Sequence, residues 1–245
     1  MRVSARTDIG RVRKENQDNY RAVNVRDGIA WGVVCDGMGG GEDGKLASGI
    51  AVQTLEKAFA KGLKARTGQD ATRDLMLDAI RQANTEIFGY TNNGARVIGT
   101  TVVCAVVNKG ILHLAHAGDS RAYLFTGEVL KLLTRDHSMV QELVDRGAIT
   151  PEQAEYHPDK NVITRALGVE PELAVDYGRS EFKPGSTLLL CTDGLTNLVD
   201  NRQLGRILSG TDFFKLADDL VQKALSAGGN DNITVVLMQE EANDG

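Results

Sequence analysis

The segment IGTTVVCAVVNKGILHLAHAGDSRAYLFTGEVLKLL (98–133) decides the fold class. It holds four apolar runs, 98–107, 111–117, 121–125 and 129–133, rich in Val, Ile, Leu and Thr and of strand length. Asn108-Lys109-Gly110 and Thr126-Gly127-Glu128 break the runs with turn-forming residues. Breaks this short read as hairpins, because a parallel crossover needs a dozen or more residues. The pairing is therefore antiparallel, and the class is α+β.

Working outward, further strand runs lie at 2–7, 29–35, 172–178, 186–192 and 232–238. Between 29–35 and 98–107 two stretches have helical spacing. The first, 45–62, places Leu46, Ile50, Val52, Leu55 and Phe59 near helical spacing and stops at Gly62; the second, 69–89, repeats the pattern with Leu75, Leu77, Ile80, Ile87 and Phe88. Residues 137–156 read as a helix, a stop at Gly147 and a short helix opening on Thr150-Pro151 as N-cap and first position. A last helical stretch covers 212–226. No repeat, low-complexity tract or linker interrupts the chain, so one domain over 1–245 is expected.

With 42% hydrophobic and 25% charged residues among 245, the composition is that of a globular protein with a substantial core. The net charge of −5 and the lack of a basic block argue against a nucleic-acid partner. Cys35, Cys104 and Cys191 are odd in number, far apart and set in apolar runs, as expected of buried reduced thiols in a cytosolic protein. The opening MRVSARTDIGRVRKENQD is charged every few residues and has no signal-peptide core, and no apolar run reaches the ~18 residues of a membrane span. The expectation is an unanchored, cytoplasmic monomer.

Aspartates stand beside glycine at the ends of apolar strands: Asp36-Gly37, Gly118-Asp119 and Asp193-Gly194, with Asp231 opening DNITVVLM. Any one of them is ordinary turn chemistry. Four together mean that converging strand ends would crowd carboxylates into one cavity, which is costly unless a cation compensates. Oxygen ligands without a Cys/His set favour Mg²⁺ or Mn²⁺ over zinc. Two such ions sharing one carboxylate would hold and deprotonate a bridging water for in-line attack on phosphorus. No covalent route competes, since no cysteine has an arginine six positions on and no G-x-S-x-G occurs. Arg13 and Arg121 are the candidate phosphate forks. His113 and His116, three apart in one strand, face opposite sides and read as packing residues. His137 reads as capping or tethering the helix that follows.

These residues resemble the protein phosphatase 2C family, the metal-dependent PPM phosphatases, and in particular its compact bacterial members. The resemblance spans nearly the whole chain in order: TDIGRVRKENQDN (7–19), VCDGMGG (34–40), GTT (99–101), AGDSRAY (117–123), LTRDHS (133–138), VITRALG (162–168), LLLCTDGL (188–195) and DNITVV (231–236). It implies a four-layer α-β-β-α sandwich, two central antiparallel sheets flanked by helices, with a dinuclear Mn²⁺ or Mg²⁺ site at one end. Asp36 is similar to the carboxylate bridging the core metals and Gly37 to the residue whose carbonyl binds one of them. Asp193 and Asp231 are similar to ligands of the second metal, and Asp119 with Asp193 to the pair holding a third. Asp18 is similar to an outer-shell residue, Arg13 to the arginine that binds substrate phosphate, and 138–161 to the mobile flap beside the cleft. The implied function is hydrolysis of phosphoserine and phosphothreonine on proteins, counteracting a bacterial Ser/Thr kinase. The alternative is an inactive member acting as a binding module. It is disfavoured because Asp36, Asp193 and Asp231 are all present. The sequence departs from the bacterial pattern DGMGGH…GE at Gly41, which replaces a histidine, and at Lys45, which replaces a glutamate.

Two other motifs overlap that loop. GGGEDGKL (39–46) fits G-x-x-x-x-G-K but puts Leu46 where a magnesium-binding hydroxyl belongs and Glu42 and Asp43 where phosphate would sit. G-x-G-x-x-G at 39–44 lacks the parallel strand that a dinucleotide site requires.

Overall fold

The computed structural model describes residues 1–25, 28–40, 42–93, 97–127 and 129–240. The elements in order are β1 (Arg2–Asp8), β2 (Asp18–Val25), β3 (Ile29–Met38), α1 (Asp43–Gly62), α2 (Gln69–Asn93), β4 (Gly99–Thr100), β5 (Val102–Asn108), β6 (Ile111–Ala117), β7 (Arg121–Thr126) and β8 (Val129–Leu132). There follow α3 (Met139–Asp145), α4 (Pro151–Glu155), β9 (Asp176–Glu181), β10 (Thr187–Cys191), α5 (Asp193–Thr196), α6 (Asn201–Leu208), α7 (Phe213–Ser226) and β11 (Ile233–Gln239). One sheet runs β1-β11-β10-β7-β8, the other β2-β3-β5-β6-β9 with β4 on β3, and every pairing is antiparallel.

The two-residue period of the central strands sorts their side chains into separate cores. In β3 and β5, Trp31, Val33, Cys35, Val102, Cys104 and Val106 pack under α1 and α2. The alternate residues Ala30, Val34, Val103, Ala105 and Val107 face the other sheet. In β11, Ile233, Val235 and Leu237 pack under α7, whereas Val236 and Met238 turn inward. Strands buried on both faces read as unbroken apolar runs for this reason, and the expected four layers result. All three cysteines are free and buried, and burial pushes each thiol pKa up.

Several boundaries differ from the sequence reading. The run 98–107 splits at Thr101, whose N–H donates to the Asp36 carbonyl. The run 172–178 is displaced to β9, an edge strand with mostly exposed residues, while Leu173 and Val175 pack against the α1–α2 core without joining the ladder. β2 was missed because DNYRAVNV alternates polar residues along an edge. The short helices α5 and α6 were missed too, and α6 is defined by an Asp200–Gln203 capping box. Thr150 does cap α4 with Pro151 in its first turn, and Gly147 takes φ +67. Of the Thr126-Gly127-Glu128 turn, Glu128 lies outside the described residues.

Candidate active site

Antiparallel pairing brings five strand termini to one end of the sandwich: the start of β2, the ends of β3, β6 and β10, and the start of β11. Asp18 and Asp36 face each other in register across β2 and β3. Asp119 follows β6, Asp193 follows β10 at the start of α5, and Asp231 precedes β11. A cavity of about 330 Å³ is lined by Asp36, Gly37, Asp119, Asp193, Asp231 and Arg13 among others. Asp18 is buried behind this lining.

Hydrogen bonds hold the carboxylates of Asp18, Asp193 and Asp231 and the backbone of Asp36 from the protein side. Asp18 Oδ2 accepts hydrogen bonds from Thr192 Oγ1 at 2.9 Å and Thr234 Oγ1 at 2.7 Å, while its Oδ1 has no hydrogen-bond partner among the described residues. The Asp36 N–H donates to Thr101 Oγ1 at 2.9 Å and the Asp36 carbonyl accepts from Thr100 Oγ1 at 2.8 Å. Asn197 Nδ2 donates to Asp193 Oδ2 at 2.9 Å, and the buried Asp193 Oδ1 has no hydrogen-bond partner among the described residues. Asn232 accepts from the Gln17 N–H and donates to the carbonyls of Ile9 and Glu15, and so pins the loop that carries Arg13. Arg13 Nη2 reaches Asp231 Oδ2 at 2.7 Å. Gly37 is required sterically, since a Cβ there would lie 2.1 Å from the Gly44 carbonyl oxygen.

Crowding raises the proton affinity of this cluster. Burial, opposed by the two threonine bonds, lifts Asp18 to about 7. Burial and then the charges of Asp18 and Asp193 hold Asp36 well above the carboxylate range. Burial followed by Asp193 and Asp136 lifts Asp119 to about 7, and burial followed by Asp231 raises Asp193. Buried acids that repel one another, with unpartnered oxygens pointing inward, form an all-oxygen donor set suited to hard divalent cations.

A family model described as protein phosphatase 2C matches residues 11–238. This chain belongs to the protein phosphatase 2C family. It is 40% identical to the serine/threonine phosphatase stp of Listeria monocytogenes over 98% of this chain and 96% of that one. It is 37% identical to the protein phosphatase PhpP of Streptococcus pneumoniae over 100% and 99%. Among solved structures it resembles the Streptococcus agalactiae serine/threonine phosphatase, with a TM-score of 0.90, 33% identity and coverage of 98% and 99%. It also resembles the catalytic domain of the phosphatase PstP in complex with two manganese ions, with a TM-score of 0.83, 31% identity and coverage of 96% of each chain.

Within this phosphatase fold, Arg121 is not a free phosphate fork. Its Nε and Nη2 both donate to Asp136, at 2.9 and 2.7 Å, and Nη1 donates to Tyr123 Oη at 3.3 Å. Burial pulls its pKa down, but the Asp136 bonds and charge override this and hold it raised. His113 bonds Tyr177 and Gln69, whereas His116 stacks on His137 at 4.7 Å, so the two histidines of β6 do face opposite sides. His137 tethers rather than caps: its Nδ1 accepts from the Gly118 N–H at 3.1 Å, and Ser138 is the N-cap of α3. His116, His137 and Asp176 also cluster closely enough to suggest a second metal site. Arg165 Nη1, 3.0 Å from Asp176 Oδ1 and 3.2 Å from His137 Nε2, already supplies the cation there.

Gly41 lies outside the described residues, and Lys45 is exposed in the first turn of α1. The nucleotide motifs at 39–46 have a simpler origin in the close packing of Gly37 on Gly44. Thr100, Thr101 and Asn232 sit inside motifs already singled out, but their supporting roles needed the structure. Asn197 carried one signal, its i+4 spacing from Asp193 on a helix.

Proposed function

We propose that this chain is a single-domain, metal-dependent phosphatase that hydrolyses phosphoserine and phosphothreonine esters on proteins. The observation that carries the reading is the convergence of Asp18, Asp36, Asp119 and Asp193, each with raised proton affinity, on one end of the sandwich beside Arg13. In this scheme Asp36, the Gly37 carbonyl, Asp193 and Asp231 hold two Mn²⁺ or Mg²⁺ ions, with Asp119 and Asp193 available to a third. When bound, such ions supply an activated water and neutralise charge on the phosphoryl group. Asp18, behind the cavity, would offer its remaining oxygen as an acceptor to water at the inner wall. Arg13, half exposed at the rim, offers its guanidinium to phosphate oxygens. Thr101 and Asn197 keep Asp36 and Asp193 in place, so little reorganisation is needed when charge develops.

The physiological substrates in this reading are targets of a Ser/Thr kinase, met in the cytoplasm by a monomer. No helix among the described residues is long and apolar enough to cross a membrane. The inactive-module alternative finds no support, because no core carboxylate is missing. The test is hydrolysis of a phosphothreonine peptide and of para-nitrophenyl phosphate with Mn²⁺, Mg²⁺ or excess EDTA, for wild type and Asp193→Ala. Turnover that needs metal and disappears in the variant is expected. Turnover that persists in EDTA would refute the scheme.

A further inference from the structure

Helix α1 begins beside the acidic cavity, where Gly44 packs on Gly37, and its 20 residues carry the chain about 30 Å away from it. At the far end the segment KAFAKGLKARTGQ (57–69) holds Lys57, Lys61, Lys64 and Arg66 and no acid. Spaced two to four residues apart, these cations form no block in the sequence, but the fold gathers them. One helical turn sets Lys57 and Lys61 on the same side of α1. Lys64 Nζ folds back onto the Ala60 carbonyl at 3.0 Å. The Thr67 N–H donates to the Lys64 carbonyl at 2.8 Å, closing a turn that carries Arg66. Buried Asn108 donates from Nδ2 to the Thr67 carbonyl at 3.0 Å and so clips this turn to the β5–β6 hairpin, whose tip carries Lys109. All five cations are exposed.

None of the five makes an ion pair among the described residues. The acids that flank the segment are already taken: Glu56 pairs with Arg21 at 2.8 Å, Asp70 with Arg179 and Arg73 at 3.6 and 3.8 Å, and Asp74 with Arg73 at 2.9 Å. Those three arginines balance the three acids, so the excess of positive charge stands, on a chain whose net charge is −5. The negative end of the α1 dipole amounts to about half a charge, which accounts for one cation there and not for the rest. Lys109 adds a separate observation, since it takes φ +53, the one non-glycine positive φ among the described residues. Glycine or asparagine adopts that conformation with less strain, and a lysine kept there at a cost points to a use for its charge. The spacing also selects a shape of ligand. Cations one helical turn apart stand ~6 Å from each other, close to the ~6.6 Å between alternate side chains of an extended polypeptide. Ala60 and Ala65 are the exposed apolar residues between them, while Phe59 and Leu63 are buried, so the corner offers nothing to insert into a bilayer.

We infer that the corner formed by the C-terminus of α1, the α1–α2 turn and the β5–β6 turn docks an acidic, extended polypeptide segment of a partner protein through Lys57, Lys61, Lys64, Arg66 and Lys109. Charge complementarity of this kind governs encounter and specificity and weakens with salt. Standing about 30 Å from the cavity along α1, the corner tethers its partner without touching the reacting phosphoester. None of its residues holds metal or phosphate.

The test is fluorescence anisotropy of a labelled peptide alternating Glu and Ser, with a peptide alternating Lys and Ser as control and co-sedimentation with phosphatidylglycerol vesicles as a second arm. The full chain should bind the Glu peptide and not the Lys peptide, with binding fading at high salt. Lys57→Glu and Lys61→Glu should each weaken it about fivefold, the upper end for one exposed ion pair, whereas Lys131→Glu, exposed on β8, should leave it unchanged. Lys109→Asn should weaken binding and raise Tm together, because asparagine relieves the left-handed strain; a lysine that only shaped the turn would lose no binding. Failure of the folded wild type to bind the Glu peptide, equal binding of the Lys peptide, or binding unmoved by the three substitutions in the corner overturns the inference. Binding to the vesicles without binding to the peptide overturns it too and assigns the corner to a lipid surface. Turnover of para-nitrophenyl phosphate should be the same in every variant, so failure of the docking site and failure of the phosphatase reading are read separately.

Discussion

Replacing Asp18 by Asn should change stability in opposite directions with and without metal. Asp18 is enclosed behind the cavity, and burial lifts its pKa from 3.8 to about 7. The unfolded chain gives up this proton near 3.8 and the folded chain near 7, so in metal-free protein the folded state loses stability as pH rises through that window, with the full loss above it. At ~1.4 kcal/mol per pH unit the loss is at most ~4 kcal/mol at pH 8 and about 2 kcal/mol at pH 5. Asn keeps an oxygen to accept from Thr192 and Thr234 and turns its NH₂ toward Asp36 and Asp193, so removing the charge should recover most of that energy. For a chain of this size ~4 kcal/mol corresponds to a rise in Tm of roughly 8–16 °C. The assay is scanning calorimetry of wild type and variant in EDTA at pH 5 and pH 8, repeated with Mn²⁺ at pH 8. The variant should be more stable in EDTA, more so at pH 8, and less stable than wild type in Mn²⁺. Equal Tm values in EDTA at both pH values would refute the reasoning that burial raises the proton affinity of Asp18.

His116 supplies a metal-independent pH effect. Burial and then the neighbouring His137 hold its pKa down at about 4 against an ordinary 6.5. The unfolded ring takes its proton first, so stability should fall by ~3 kcal/mol as pH drops from 6.5 to about 4. Urea titrations of His116→Gln should show a flatter profile, and an unchanged slope would exclude this ring as the cause. Thr101→Val removes the acceptor for the part-buried Asp36 N–H and the partner of the buried Ser120 Oγ at 2.7 Å. It should cost ~1–3 kcal/mol in equilibrium unfolding, with Thr101→Ser restoring most of it. His137→Ala severs the side-chain bond to Gly118 at the root of the flap, while the backbone links Met139 N–H to Val162 and Thr164 N–H to His137 remain. Limited proteolysis should cut within 138–161 several times faster; an unchanged rate would mean that the backbone links alone anchor the flap.

Much of this protein was legible in its residues because the information is local. Runs such as VVCAVV and TLLLC are apolar on both faces, hairpin breaks at Asn108 and Thr126 force antiparallel neighbours, and carboxylates at strand ends beside glycine imply a shared cation. The ordered motifs fixed the family. Elements whose sequence is ambiguous by itself escaped: β2 and β9 are polar edge strands whose ladder partner, not their composition, makes them strands. The tertiary structure alone decided which charges are already spent. Arg13 and Arg121 look alike in sequence, yet one stands half exposed at the rim of the cavity with a single bond to Asp231, and the other is buried and gripped by both oxygens of Asp136, fifteen residues further on. Likewise Asp18 and Asp231 are equivalent acids in the sequence until folding encloses one behind threonine hydroxyls and leaves the other beside Arg13. Residue type and spacing determine which chemistry is available, whereas desolvation and pairing depend on groups from 15 to 216 residues apart in the chain and exist only once the two sheets have packed.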